Sequence, residues 1–460
     1  MKKTIVFALS FYGYLLSAQS PFPKQNLDKT LKELAKTYKI PNLTVAVTNK
    51  DSIVYTFSEA PKGINDLYLI GSNTKSFTAL AILQLADSSL VDIDLPVKHY
   101  LPWFSFAKPI NETADNSITV RNLLNQTSGF PTQAGFFDTP TFDIAVFENG
   151  LNGHIQSFSP ANANGANFLY SNLNYTLLGL IVQKASGKTY KEYVQTHIFK
   201  PLNMNYSFAN YEDALKNSLI GGYQYAFFST FSKKTPLFSD FKVPQGYISS
   251  TANDMTKYLR AALKNTEGVG LSDKNYKNWT TPYKNGYAMG WGETKYFGQQ
   301  IIQHLGLNET FNSALFFMPK QEYGIIVLAN TSSIEFNATA KEAIILTLLD
   351  KPYAPHSSGE NMQRVAVFSI LILTFLGFLW QFFKWQKVKF ATQKPKILRG
   401  LVSIIGIGLS VLPLIIIPKM NAVNLSTMSD YSPDFAYGFI GIAVFGILWA
   451  LMALVWKRRI

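Results

Sequence analysis

Beyond residue 362 the chain carries three apolar runs, 365–383, 400–418 and 435–456, none of which contains a charged side chain. Each is about as long as an α-helix must be to cross a hydrocarbon core. Three in succession, with charged flanks, read as transmembrane helices rather than as core helices of a soluble protein. None has an ionisable group in its middle, so the tail reads as an anchor and not as an ion or substrate pathway.

The net charge of +13 follows this division. Residues 362–460 hold eleven Lys or Arg against Asp430 and Asp434, whereas 19–361 hold 29 basic and 27 acidic side chains. The excess lies at 384–399 and 457–459, the two places that positive-inside topology puts in the cytoplasm. Basic loops beside anionic headgroups account for the charge, and no nucleic acid is implied. At the other end, Lys2 and Lys3 precede an apolar run, 5–16, and Ser17-Ala18-Gln19-Ser20, the three parts of a secretory signal peptide. There is no Cys, hence no disulfide and no lipoprotein anchor. The expected organisation is a signal peptide at 1–18, a folded domain at 19–351, a linker at 352–362 and a membrane region at 363–460. The expected place is a bacterial cytoplasmic membrane, multi-pass, with the domain on the periplasmic or extracellular side.

Within the domain, Leu27, Leu31, Leu34, Ala35 and Tyr38 trace a helix that Pro41 ends. Strands are predicted at 43–48 and 53–57, and again far downstream at 301–304, 313–318 and 323–329, before a helix over 335–349. Strands from both ends of the domain then share one sheet, and 87–285 is a mostly helical insertion. The fold class is α+β.

Three short motifs carry chemistry. Ser72-Asn73-Thr74-Lys75 opens a run in which Phe77, Leu80, Ala81, Ile82 and Leu85 recur at the spacing of an amphipathic helix. Ser72 and Lys75 then share a face, about 4.5 Å apart along the axis, where an unprotonated amine can take the hydroxyl proton. Tyr170-Ser171-Asn172 follows, offering a phenol for proton relay and a carboxamide to orient a substrate. His304-Leu305-Gly306 comes third, at a strand end. His99, His154, His197 and His356 are scattered singly, so no metal is expected, and nothing calls for a cofactor.

In this order the motifs resemble those of penicillin-recognising serine hydrolases, specifically the class C β-lactamase-related family of DD-peptidases, D-aminopeptidases and esterases. The stretches 118–129, 200–204, 246–255 and 287–291 are similar to the family at the expected places, and the resemblance covers roughly 25–350. It implies an antiparallel sheet flanked by helices. It also implies an acyl-enzyme on Ser72, with Lys75 and Tyr170 sharing the proton traffic, Asn172, His304 and Gly306 at the substrate, and the N–H groups of Ser72 and Leu307 as oxyanion donors. The division of labour between Lys75 and Tyr170 is left open. No glutamate stands where a class A deacylation base would, which returns water activation to Tyr170 and Lys75.

The chain departs from the pattern at Leu307 and Thr310, where relatives often carry Gly. Neither residue takes a positive φ readily, so the strand is expected to run differently or to narrow the site. His304, expected to reach the pocket from the edge strand, stands where β-lactamases and DD-peptidases usually carry Lys. With an ordinary pKa of about 6.5 it would hold a carboxylate weakly. The expected substrate is therefore an amide or ester, such as a cell-wall-derived D-amino-acid peptide or a small ester, with weak β-lactam hydrolysis. Two rivals stay open: an inactive sensor that signals through its spans, and a tail that is itself the functional unit.

Overall fold

The computed structural model describes residues 22–106, 118–137, 141–158, 167–235, 237–264, 269–281, 286–353, 359–385, 397–420 and 424–455. The expected signal peptide lies outside them. A seven-stranded antiparallel sheet forms the centre, in the spatial order Ile53–Ser58, Leu43–Thr48, Tyr323–Ala329, Asn312–Met318, Gln299–Leu307, Trp291–Tyr296, Tyr287–Ala288. The first strand of the chain pairs with one nearly 300 residues later, Val45 opposite Val327.

Alternation along Leu43–Thr48 fixes that register. Leu43, Val45 and Val47 lie in a core with Leu27, Leu31 and Leu34 of the helix Lys24–Thr37 and Phe336 and Ile344 of the helix Ile334–Leu348. Slipping by one residue would bring Thr44 and Thr48 there instead. Ala46, Leu315, Phe317, Ile326 and Leu328 face a larger core that includes the insertion. Both faces are covered, which is why Asn312–Met318 and Tyr323–Ala329 read as near-continuous apolar runs.

The helix Thr74–Asp87 differs from its expected form. Thr74 to Leu83 are all buried, polar members included, so the helix is enclosed on every side rather than amphipathic. Ser72 precedes it, in a 3₁₀ turn at Gly71–Asn73. The insertion is mainly helical, with a small sheet in which the hairpin Tyr223–Ala226 and Ser229–Ser232 pairs with Thr331–Ser332.

Three long helices follow the domain, Gly359–Trp385, Ile397–Met420 and Pro433–Val455, with a short one, Leu425–Tyr431, before the last. Two contain stretches long and apolar enough to cross a membrane, Gly359–Phe383 and Pro433–Met452. The middle helix carries a shorter apolar run, Ser403–Ile417, so among the described residues two of the three expected spans are long and apolar enough. The outer two run parallel, since Gly438 meets Val367, Gly441 meets Leu371 and Trp449 meets Gly377. The middle one runs against them, with Gly446 on Ser410 and Ala450 near Gly406.

Candidate active site

Two glycines let the Ser72 turn meet the sheet. Gly71 has φ +53°, and a Cβ there would stand 2.5 Å from Leu307 N. A Cβ on Gly306 would fall 2.2 Å from both Ile70 O and Ser313 Oγ. Ser313 Oγ donates to Ile70 O at 2.6 Å and accepts from Asn73 Nδ2 at 2.7 Å, clamping the turn from both sides of Ser72. On the far side, Ile70 N donates to Ile248 O at 3.0 Å.

Tyr170-Ser171-Asn172 is positioned by a loop that sequence reasoning gave no role. Gln126 is buried, with φ +58°, and its Oε1 accepts from Ser171 N at 2.9 Å and from Asn174 Nδ2 at 2.5 Å. Thr132 Oγ1 donates to Tyr170 O at 2.7 Å, and Ser171 Oγ to Pro131 O at 3.1 Å. The only sequence signal for Gln126 was its place in the similar stretch 118–129.

Lys75 is completely buried. Its Nζ donates to Asn172 Oδ1 at 2.7 Å and to the main-chain oxygen of Gln245, and lies 3.0 Å from Ser72 Oγ. Burial holds the amine well below its ordinary pKa. A neutral amine has two hydrogens and one lone pair. Deprotonated, the amine gives both hydrogens to the two carbonyl oxygens, which can only accept, and turns its lone pair to the Ser72 hydroxyl.

Tyr170 is half-buried and its hydroxyl is hydrogen-bonded to the Ser72 side chain. Its ring centroid is 5.0 Å from Lys75 Nζ. Burial pushes the phenol well above its ordinary pKa, and the Ser72 bond pulls it only partly back. Tyr170 therefore rests as a neutral phenol.

His304 is also buried, at 7% exposure, and lies on an interior strand of the sheet rather than an edge. The neighbouring strand Trp291–Tyr296 pairs only as far as Gln303 in register, which leaves the outer side of the strand's far end toward the Ser72 turn. His304 Nδ1 donates to Leu305 O at 2.8 Å, so Nε2, 3.3 Å from the Tyr287 hydroxyl, is the acceptor. Burial first, then the neighbouring Lys75, pulls the imidazole pKa down to about 3 despite the Leu305 bond. The ordinary value of 6.5 assumed from sequence does not apply.

Leu307 and Thr310 show how the chain manages without glycine. Neither has a positive φ. Leu307 ends the strand in register opposite Asn312, and the Thr310 side chain packs where Gly222 has no Cβ. The site thus gathers Ser72, Lys75, Tyr170, Asn172, His304, Gly306 and Leu307. A separate cavity of about 300 Å³, bordered by Lys50, Tyr276, Gln300 and Glu322, contains none of them. No cluster of three or more metal-ligating side chains exists among the described residues.

Known proteins carry the same framework. Protein flp of Staphylococcus aureus (strain N315) is 29% identical over 325 residues, which are 67% of this chain and 64% of that protein. The chain thus spans less than two thirds of that relative's length. Among solved structures, an octameric penicillin-binding protein homologue from Pyrococcus abyssi aligns with TM-score 0.62 at 24% identity, over 71% of this chain and 77% of its own. A D-stereospecific amidohydrolase from Streptomyces sp. gives 0.59 at 22%, over 72% and 99%. A class C β-lactamase gives 0.59 at 20%, over 73% and 97%. These likenesses speak to the fold. The family model described as Beta-lactamase matches residues 27–349, a span that takes in the sheet, the Ser72 turn and the His304 strand, and on that match the chain belongs to the Beta-lactamase family.

Proposed function

We propose that the protein is an exported, membrane-anchored serine hydrolase that cleaves an amide or ester through an acyl-enzyme on Ser72. One observation carries this reading: a buried Lys75 amine that contacts Asn172 Oδ1 and Gln245 O and lies 3.0 Å from Ser72 Oγ. A lysine kept only for packing would have no need of that arrangement.

In the first half-reaction the Ser72 hydroxyl proton passes to Lys75 Nζ as Oγ bonds to the substrate carbonyl carbon. The developing oxyanion is received by the main-chain N–H groups of Ser72 and Leu307, which Gly71 and Gly306 allow to come together. The proton then leaves Lys75 by way of the Tyr170 hydroxyl to the departing alcohol or amine. The carbon–leaving-group bond breaks and the acyl group stays on Oγ. Water enters by the reverse route, its proton taken through Tyr170 and Lys75, and Ser72 is regenerated. Lys75 is the base and Tyr170 the relay, because the phenolate is the costlier of the two deprotonated forms. The Asn172 amide, its oxygen engaged by Lys75, offers its N–H₂ to a substrate carbonyl.

The substrate carries no obligatory carboxylate in this reading. His304 is neutral, and both its ring nitrogens are engaged. Small esters and D-amino-acid amides fit such a site better than penicillins and cephalosporins. Anchoring follows from the tail. Its outer helices expose large apolar side chains, Leu373 at 66% for example, and enter side by side from the domain, with a return helix between them. A three-pass path with the domain outside and 386–396 in the cytoplasm satisfies both that geometry and the charge distribution.

The test compares kcat/KM for 4-nitrophenyl acetate, a D-alanyl anilide and a cephalosporin, using wild type and Ser72→Ala. The reading expects the first two to be turned over, the third to be slow, and all to vanish in the variant. Ester or amide turnover that survives Ser72→Ala in the folded protein would refute it.

A further inference from the structure

The family match ends at residue 349, yet the chain beyond it packs back against the domain. A short helix, Leu425–Tyr431, precedes the last membrane helix and lies against the domain. Its Asp430 carbonyl accepts from Lys233 Nζ at 2.9 Å and from Gln224 Nε2. Three residues past Tyr431, Asp434 accepts from Phe227 N at 3.0 Å and from Arg364 Nε at 2.6 Å. That ion pair is buried, at 2% and 0% exposure. The Arg364 guanidinium also lies over the Tyr225 ring, 4.7 Å from its centroid, and 5.0 Å from that of Phe435. The segment is thus fastened on either side of Tyr431.

Tyr431 shares a cavity of about 10 Å³ with Leu307, Ser332 and Ser333. It also lies within electrostatic reach of Tyr170 and Glu309. Leu307 and Tyr170 are two of the groups gathered around Ser72, and Tyr431 lies near both. A space of that size admits about one water molecule.

We propose that Tyr431 is a specificity-determining residue of the Ser72 site: the membrane tail supplies the wall on the Leu307 side and restricts the substrate arm that lies there to a small group. The inference rests on the acyl-transfer reading above. It gives the tail a part in substrate selection, which anchoring alone does not require.

The experiment uses the full-length protein in nanodiscs and two ester series. One varies the acyl group, 4-nitrophenyl acetate against 4-nitrophenyl octanoate. The other varies the alcohol, the acetates of 4-nitrophenol and the larger 4-methylumbelliferone. In at least one series Tyr431→Ala should raise the large-to-small ratio of kcat/KM by about tenfold or more. Tyr431→Phe keeps the ring and should stay within about twofold of wild type. Asp434→Asn, which weakens the fastening, should move the ratio the same way as Tyr431→Ala. Fluorophosphonate labelling of Ser72 serves as the folding control, and Tyr431→Leu replaces Tyr431→Ala if the latter does not label. Unchanged ratios in both series for a labelling-competent variant would overturn the proposal, as would Tyr431→Phe behaving like Tyr431→Ala. Absence of labelling in the wild type would instead overturn the acyl-transfer reading.

Discussion

Lys75 has three polar neighbours, and a deprotonated amine has two hydrogens to give them. That count is what the proposed role of Lys75 as base for Ser72 rests on. Replacing it with Met should lower kcat/KM for a neutral ester by about 10²–10⁴-fold, the usual range for a positioned proton acceptor. Tyr170→Phe should cost less in ester than in amide hydrolysis, because the poorer leaving group depends more on the relayed proton; equal losses would remove Tyr170 from that step. His304 gives a different prediction. Its pKa is about 3 in the fold and about 6.5 in the unfolded chain, so the unfolded state binds more protons between those values. Stability from this group is fully present above pH 6.5 and is lost as pH falls toward 3. At pH 5 the loss is about 2 kcal/mol. His304→Gln, which cannot be protonated, should lose that much less between pH 7 and pH 5 in denaturant unfolding, and equal losses would show that His304 is not held neutral. By the same argument, kcat/KM should carry no His304 inflection from pH 6 to 8.5. The motifs made these residues legible in sequence. Their protonation states were not legible, because burial by distant segments sets them.

Among the elements, the Ser72 turn and the His304 strand depend on each other. Gly306→Ala would force a methyl group against Ile70 O and Ser313 Oγ. Overpacking of this kind costs about 1–3 kcal/mol, and the backbone shift should also abolish labelling of Ser72. A variant that labels at the wild-type rate would contradict the close approach. The sheet was legible from its ends, since 43–48 alternates and 323–329 is a near-continuous apolar run of strand length. The strands Trp291–Tyr296 and Tyr287–Ala288 were not predicted; Gly290, Gly292 and the polar Glu293, Thr294 and Lys295 hide their pattern. The helix Thr74–Asp87 was found but misread as amphipathic, because Ser76 and Thr78 look solvent-facing until Tyr258 and Tyr190 bond to them. The tail has its own critical contact. Arg364→Ala leaves Asp434 buried without its cation and should cost about 3–5 kcal/mol, read as a lower Tm in nanodiscs.

For the whole molecule, the catalytic domain and the tail form one arrangement in which the outer helices enter together and Tyr431 lies near Leu307 and Tyr170. Topology is open to a direct test because the chain has no native Cys. Ser429→Cys should react with a membrane-impermeant maleimide added from outside, and Lys389→Cys only after permeabilisation; the opposite pattern would invert the proposed path. Charge and apolar runs made the tail's division from the domain legible. Its packing back against the domain was not legible, because that contact rests on the backbone of Asp430 and a pair of charges seventy residues apart. The central claim is narrower than topology: Lys75, neutral through burial, activates Ser72. The most direct measurement is peptide mapping after fluorophosphonate labelling of wild type and Lys75→Met at neutral pH. The account expects one adduct, on Ser72, in the wild type and slow or no adduct in the variant. An adduct on another residue, or equal labelling rates in the two proteins, would contradict it.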